Sequence, residues 1–363
     1  MNTMLCLCFL MFFWRVGADC QLGATEVSET TRLFTYRDDD GELCLQRLDM
    51  LPTGQTLEMI CNISDVEYTT CQQNGDMSPP LPITDCSKLM KGIVEVVSDE
   101  ICPFTMYRVG YKLSNELFLE LYRSCYDVPN QTAHFVIHQA YPITSPAPRP
   151  DQSFTTDGVI TGAMAATFQA SSIFETFKTL LGSNQNYIAS PSDIVFNRGH
   201  LVPSADFGFD SQMRLTFKYL NVVAQFGSIN RGNWKTLETW IRNQLNNGNF
   251  EVLNICTGGF GVLQLPHSIT GELISIYLNP PSGNAVPEWL FKTVCDGNNN
   301  SYAFLTYNNI FNLTKPTPNC QQVACPATLQ FVDTKEAGFS FCCDLNDFLT
   351  KNVPHLANVC SVI

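Results

Sequence analysis

The cysteines of this chain fall into two clusters separated by a long stretch that has none. Seven lie between Cys20 and Cys125 and seven between Cys256 and Cys360, which leaves residues 126–255 without a thiol. Two more, Cys6 and Cys8, sit in an apolar run of eleven residues, Met4 to Trp14. That run is too short to span a bilayer. The small residues Val16-Gly17-Ala18 follow it, so residues 1–18 read as a secretory leader, although no Lys or Arg precedes the run. No other apolar run is long enough for a membrane helix, and a secreted, extracellular protein that does not engage membranes is expected.

Removing the leader takes away Cys6, Cys8 and Arg15, leaving fourteen cysteines in 345 of the 363 residues and moving the formal charge from −13 to −14. In a secreted chain that many cysteines indicate disulfides, and none of their spacings resembles a zinc module. The adjacent Cys342 and Cys343 are poorly placed to bridge each other. Seven per cluster is odd, so if every thiol is paired within the chain, at least one bridge must join the two clusters and make the N-terminal part a clasp on the rest. Four sequons, at Asn62, Asn130, Asn299 and Asn312, agree with a secreted glycoprotein.

Periodicity and turn residues give a coarse map. Residues 19–128 read as a Cys-rich, strand-rich region and 129–363 as a second domain with a Cys-rich tail. Ala133 to His138 is β-branched and aromatic, as strands are. Tyr141 to Pro150 holds four prolines and reads as a connector. Ala165 to Leu181 has helical spacing and ends at Gly182. Leu215 to Ala224 is strand-like. Asn233 to Leu245 predicts a helix capped by Asn233, with Trp234, Leu237, Trp240, Ile241 and Leu245 on its apolar face. Phe250–Thr257, Leu273–Leu278 and Trp289–Val294 predict further strands. Strands and helices do not alternate, which favours an α+β fold with a largely antiparallel sheet flanked by helices.

The chemistry lies in the cysteine-free stretch, in Phe196-Asn197-Arg198-Gly199-His200-Leu201-Val202-Pro203-Ser204-Ala205-Asp206-Phe207. His200 is a base near neutral pH, and Arg198 carries a permanent planar charge suited to phosphate oxygens. Taken alone, Arg198-Gly199-His200 fits a surface turn as well as a site. A second block follows, in which Asn230, Trp234, Glu238 and Arg242 are spaced by four and fall near one helical face. The amide oxygen of Asn230 is a hard neutral ligand for Mg²⁺, and Glu238 is placed to hold waters around the ion. An ordinary amphipathic helix with a Glu238–Arg242 pair explains the second block equally well when it is read by itself.

Together, in this order, the two blocks resemble the DNA/RNA non-specific endonucleases of the ββα-metal class, the family of the Serratia nuclease and mitochondrial endonuclease G. The chain also resembles secreted invertebrate members of the double-stranded ribonuclease type. The family hallmark is Asp-Arg-Gly-His, then an asparagine metal ligand about thirty residues later, then a glutamate and an arginine. Here those positions read Asn197-Arg198-Gly199-His200, Asn230, Glu238 and Arg242. Asn221…Gln225, Thr257-Gly258 and Val286-Pro287…Phe291-Lys292 add to the likeness, which covers roughly residues 133–312 and leaves the N-terminal extension unexplained. Asn197 departs from the family's aspartate.

The resemblance implies a ββα-metal core and a secreted, Mg²⁺-dependent endonuclease (Mn²⁺ or another divalent cation being alternatives) acting on DNA, RNA or both and leaving 5′-phosphates. His200 would be the general base, with Arg198, Glu238 and Arg242 as its catalytic companions and Asn230 as the metal ligand. Arg149 is a candidate phosphate contact in the connector. Arg231 and Lys235, with Lys218, are candidates for a basic patch that an acidic chain needs in order to bind a polyanion. Phe196 and Trp234 read as core. A catalytically weakened nucleic-acid-binding or interaction protein that keeps the fold is the alternative, favoured by the acidic charge and by Asn197. A zinc protein built on cysteines with His134 and His138 fails on spacing.

Overall fold

The computed structural model describes residues 18–361 apart from 29, 82 and 297–299. All of the expected leader except Ala18, and Asn299 of one sequon, lie outside the described residues. Ten strands organise the chain around the candidate site: β1 (Ile93–Val97), β2 (Thr105–Lys112), β3 (Phe118–Asp127), β4 (Thr132–Ala140), β5 (Phe196–His200), β6 (Val222–Phe226), β7 (Leu253–Phe260), β8 (Trp289–Cys295), β9 (Ser301–Tyr307) and β10 (Ser340–Cys343). Eight of them form one antiparallel sheet in the order β10-β9-β8-β7-β4-β3-β2-β1, while β5 and β6 pair with each other as a separate hairpin. Four helices matter here: α1 (Ala170–Leu181), α2 (Gly227–Arg231), α3 (Asn233–Asn246) and α4 (Leu345–Asn352). The fold is α+β.

Both faces of the sheet are covered, which explains why β8 is buried along its whole length rather than on alternate residues. Ile255, Leu290, Val294 and Phe304 share a core with the buried face of α3, formed by Trp234, Leu237, Trp240, Ile241 and Leu245. Their neighbours Cys256, Phe291 and Leu305 point the other way, toward Phe348 and Leu349 of α4. Each such side chain contributes about 1.5–3 kcal/mol by leaving water, and α3 is therefore held rigidly over the sheet.

The sheet crosses the boundary expected at residue 128. β3 pairs with β4 in the register Arg123↔Ile137, so residues 93–127 build three strands of the main sheet. Residues before them form a five-stranded sheet of their own, stapled by Cys20–Cys71 and Cys61–Cys86. It shares the α3 core and touches the segment after the histidine motif, where Phe34 meets Phe209 at 5.2 Å and Gln212 donates to the Gln46 carbonyl at 2.7 Å. The expected inter-cluster bridge does not form among the described residues. Cys102–Cys125 lies within the first cluster; Cys295–Cys360, Cys320–Cys343 and Cys325–Cys342 lie within the second. Cys44 is also bonded, and the odd thiol is Cys256, free and buried in the sheet. Shared core and strand pairing, rather than sulfur, fasten the N-terminal region.

Several local expectations change. The helix expected over Ala165–Leu181 is broken: Gly162–Ala166 forms one turn, Thr167 bonds back to the Met164 carbonyl, and α1 starts at Ala170. Only Val222–Phe226 of the strand-like stretch 215–224 is extended. The preceding residues turn because the Asn221 amide donates to the carbonyls of Val202 and Thr216, both at 2.9 Å, and its oxygen accepts from the Val202 N–H. The stretch 273–278 splits into two short strands around buried Ile276. Gly232, not Asn233, caps α3; the Asn233 side chain instead binds the carbonyls of Val332 and Gly338.

Candidate active site

The hairpin β5–β6 sets the frame. Its register places Asn197 opposite Gln225, Arg198 opposite Ala224 and His200 opposite Val222. Gly199 is required there because a Cβ would collide with the Gln225 side chain across the hairpin. The chain then passes from β6 directly into α2, breaks at Gly232 (φ −90°, ψ −125°) and continues into α3. Hairpin followed by helix is the ββα arrangement expected, with one difference: Asn230 sits in the short α2, whereas Trp234, Glu238 and Arg242 belong to α3.

His200 lies in an aromatic cradle. The rings of Phe154 and Phe217 each stand 5.1 Å from the imidazole. The residue is half-buried, and its Nε2 is buried and has no hydrogen-bond partner. Burial, then the charges of Arg149 and Arg198, push its pKa down to about 3. The two arginines approach over the same aromatic rings, Arg198 lying 4.6 Å from the Phe154 centroid and Arg149 lying 5.3 Å from that of Phe217. Arg198 also donates to the Tyr219 hydroxyl at 3.2 Å. Both guanidiniums are exposed, so two permanent positive charges face solvent on either side of a neutral imidazole.

Glu238 is half-buried, and burial pushes it up to about 7 against the opposing charges of Lys292, Arg242 and Arg149. Arg149 therefore acts on both His200 and Glu238, which joins the connector, the hairpin and α3 at one place. Arg242 does not pair with Glu238 as the i,i+4 spacing suggested; its Nη1 binds Asp206 Oδ1 at 3.1 Å. Asn230 is half-buried, and its amide has no hydrogen-bond partner among the described residues. A hard oxygen donor left free at the end of α2, with an acidic group on the following helix, fits a divalent cation that keeps most of its waters. The donor type of Asn230 thus suits the ion that the motif implies, while no described contact joins Asn230 to His200 or Glu238.

Other candidates fall outside this cluster. Arg231 is exposed and folds back beside Gly227, where the Asn197 amide oxygen also lies. Lys235 is exposed on the first turn of α3. No described contact joins either residue to His200. Lys218 is not part of a surface patch: it is buried and paired with Asp157 at 2.6 Å. Phe196 and Trp234 are core, as expected.

Sequence reasoning missed the aromatic cradle and the layer beneath the site. Phe154 follows the proline-rich connector with no periodic signal, and Phe217 and Tyr219 lay inside a stretch read as a strand. Below them, His138 Nε2 meets Asp206 Oδ2 at 3.1 Å, and buried Lys292 donates to Thr257 Oγ1 at 2.6 Å. Burial keeps His138 neutral, so its Nε2–H donates to Asp206. Burial opposes ionisation of Asp206, but the hydrogen bond from His138 and the nearby positive charges hold its carboxyl below the usual range. Asp206 stood within the twelve-residue block, and its fixed distance from His200 was the available signal.

Residues 102–348 match the family model of DNA/RNA non-specific endonucleases. A salivary endonuclease of Lutzomyia longipalpis is 28% identical over 313 residues, covering 83% of this chain and 74% of that protein. A chain from the crystal structure of the EndoG/EndoGI complex aligns at 18% identity and a TM-score of 0.37 over 53% of this chain and 73% of that one. With its family match running from the strands before β4 to α4, and with the ββα frame around His200, this chain belongs to the DNA/RNA non-specific endonuclease family and is a nuclease that hydrolyses phosphodiester bonds.

Proposed function

We propose that the chain is a secreted, Mg²⁺-dependent endonuclease that cleaves DNA, RNA or both without reading sequence, with His200 as general base. The observation that carries this reading is the His200 imidazole, neutral and with an unpartnered Nε2, between two exposed arginines. A neutral imidazole whose nitrogen is free can take a proton from water. Arg198 and Arg149 supply planar N–H donors for phosphate oxygens on both sides of it. Burial first, and then their charges, weaken the base in the free protein. A bound phosphate offsets those charges, so substrate itself raises the basicity of His200 at the moment it is needed. Arg242 adds a third positive charge for the negative charge that builds on the phosphate. Contacts limited to phosphate carry no sequence information, so broad specificity follows.

Asn230 would hold the divalent ion through its amide oxygen, with Glu238 accepting from the surrounding waters. When bound, the ion supplies Lewis-acid stabilisation of charge on the reacting phosphate and its leaving group. The expected products carry 5′-phosphates. Arg231 and Lys235 extend the positive surface along the start of α3 and would contact substrate backbone away from the scissile bond.

Incubating the purified protein with plasmid DNA and with double-stranded RNA, in Mg²⁺ or in chelator, tests this. Cleavage that chelator stops and that His200→Ala abolishes is the expected result. Asn197 and the net charge of −13 favour a second reading, a binding protein that keeps the fold. Nucleic acid bound but uncut in every divalent metal tried would establish that reading instead.

A further inference from the structure

Arg242 reaches the site from α3 on a long side chain that would be free to sample many rotamers, yet its guanidinium is fixed. Nη1 donates to Asp206 Oδ1 at 3.1 Å and Nη2 to Thr239 Oγ1 at 3.3 Å. Its side chain is 24% exposed, whereas that of Asp206 is 4% exposed and that of His138 0%. One edge of the guanidinium is thus anchored inward while the rest remains open to solvent. The anchor is itself immobile. The second oxygen of Asp206 accepts from His138 at 3.1 Å, so both carboxylate oxygens are engaged. The three residues come from different elements: His138 from β4 of the main sheet, Asp206 from the turn Ser204–Asp206 just after His200, and Arg242 from α3. Nearby, the buried Lys292 ammonium lies 3.5 Å from the Leu201 carbonyl, next to His200.

We propose that Asp206 is a positioning residue for phosphodiester cleavage: seated on His138, it locks Arg242 in the orientation from which its remaining N–H groups meet the substrate phosphate. A guanidinium donates through five N–H groups in a rigid plane. Fixing one edge of that plane determines where the others point, and a pre-oriented cation stabilises developing charge without first having to be ordered. Because Asp206 lies six residues after His200, the same contact also ties the end of the His200-bearing hairpin strand to α3. The proposal rests on the reading of the site as a nuclease centre in which Arg242 faces phosphate.

A double-mutant cycle tests it, with Asp206→Asn and Arg242→Gln made singly and together. It is read on cleavage of double-stranded RNA and plasmid DNA in Mg²⁺, and on equilibrium binding of a phosphorothioate DNA duplex in chelator. Asp206→Asn in the otherwise native protein is expected to lower kcat/KM about 10–100-fold, mainly through kcat, and to cost less than about 3-fold once Arg242 is already Gln. A purely structural Asp206 lowers activity equally in both backgrounds, and that result overturns the proposal, as does an Asp206→Asn protein of native activity. If Asp206→Asn does not fold, His138→Gln loosens the same carboxylate from its other side and the cycle is run with it. A wild-type protein that binds duplex but never cuts refutes the nuclease reading, whereas a wild-type protein that cuts, with equal Asp206→Asn losses in both Arg242 backgrounds, overturns only the positioning role.

Discussion

Two histidines stand in this site, and the regions around them are built on opposite terms. His138 lies on the sheet with its Nε2 bonded to Asp206, which in turn holds Arg242; around it the charges are paired and dry. His200 lies on the hairpin with Nε2 bonded to nothing, two arginines open to solvent beside it and the free amide of Asn230 on the adjoining helix. Burial keeps both imidazoles neutral. In one region His138 Nε2, Asp206 and Arg242 are bonded to one another, although Nδ1 of His138 has no partner; in the other Nε2 of His200 has none and two exposed arginines flank it. A buried polar atom without a partner costs about 1–3 kcal/mol, a cost reasonable in a region where a ligand completes the bonding. The floor is bonded within the protein, and the rim is where the proposed chemistry would take place.

Substitutions that treat the two histidines alike should therefore give opposite results. The largest expected effect is on catalysis: His200→Ala lowers cleavage by about 10²–10⁴-fold, with a melting temperature close to that of the wild type, because no hydrogen bond is lost. His138→Ala should do the reverse, destabilising the fold by roughly 2–4 kcal/mol through a cavity and a weakened Asp206, with a smaller fall in activity. Denaturant melts and cleavage assays on the pair check both. If His138→Ala proves as inactive as His200→Ala at unchanged stability, the contrast between floor and rim is wrong.

Next in size is Gly199→Ala, which forces the hairpin apart at Gln225. It should cost about 1–3 kcal/mol and reduce activity as well, since His200 is the next residue. Native stability in that variant would mean that the hairpin register is looser than described.

The smallest effects are in pH dependence, measured as melting temperature in chelator. The pKa of His200 is depressed from 6.5 to about 3 on folding, so its contribution to stability is complete above about 6.5 and is lost as pH falls toward 3. The pKa of Glu238 is raised from 4.5 to about 7, so its contribution is complete below 4.5 and is lost as pH rises through 7. His200→Ala should flatten the acid side of the profile and Glu238→Gln the neutral side. The two windows overlap between pH 4.5 and 6.5 with opposite signs, so Glu238 is read in the His200→Ala background: a fall in stability between pH 4.5 and 7 that survives Glu238→Gln there belongs to another group.

Much of this was legible before any coordinates. Apolar patterning gave α3 and β8, and the family resemblance carried by Arg198, His200, Asn230 and Glu238, rather than their spacing alone, gave the nuclease family. What escaped notice depends on distant pairing or on side chains that override the local pattern. β1 to β3 join the main sheet through pairs such as Arg123↔Ile137, which no local periodicity marks. Asn221 turns a β-branched stretch by binding three backbone groups, and Gly232 divides what the four-residue spacing suggested was a single helix. Asp206 and Phe154 became meaningful only once the chain had brought Arg242 and His200 to them. The odd count of the second cluster ends in a buried free thiol, Cys256, rather than in the expected bridge between clusters.

The central claim is that the Asn230 amide and the His200 imidazole serve one pocket that takes a divalent ion and a phosphate. Titrating Mn²⁺ into the protein while following the imidazole proton resonances by NMR tests it most directly. Selective broadening of the His200 signals, with those of His134 and His355 spared, and loss of that broadening in a folded Asn230→Ala variant, is the expected outcome. His200 signals that ignore the ion, or that broaden equally without Asn230, would contradict it.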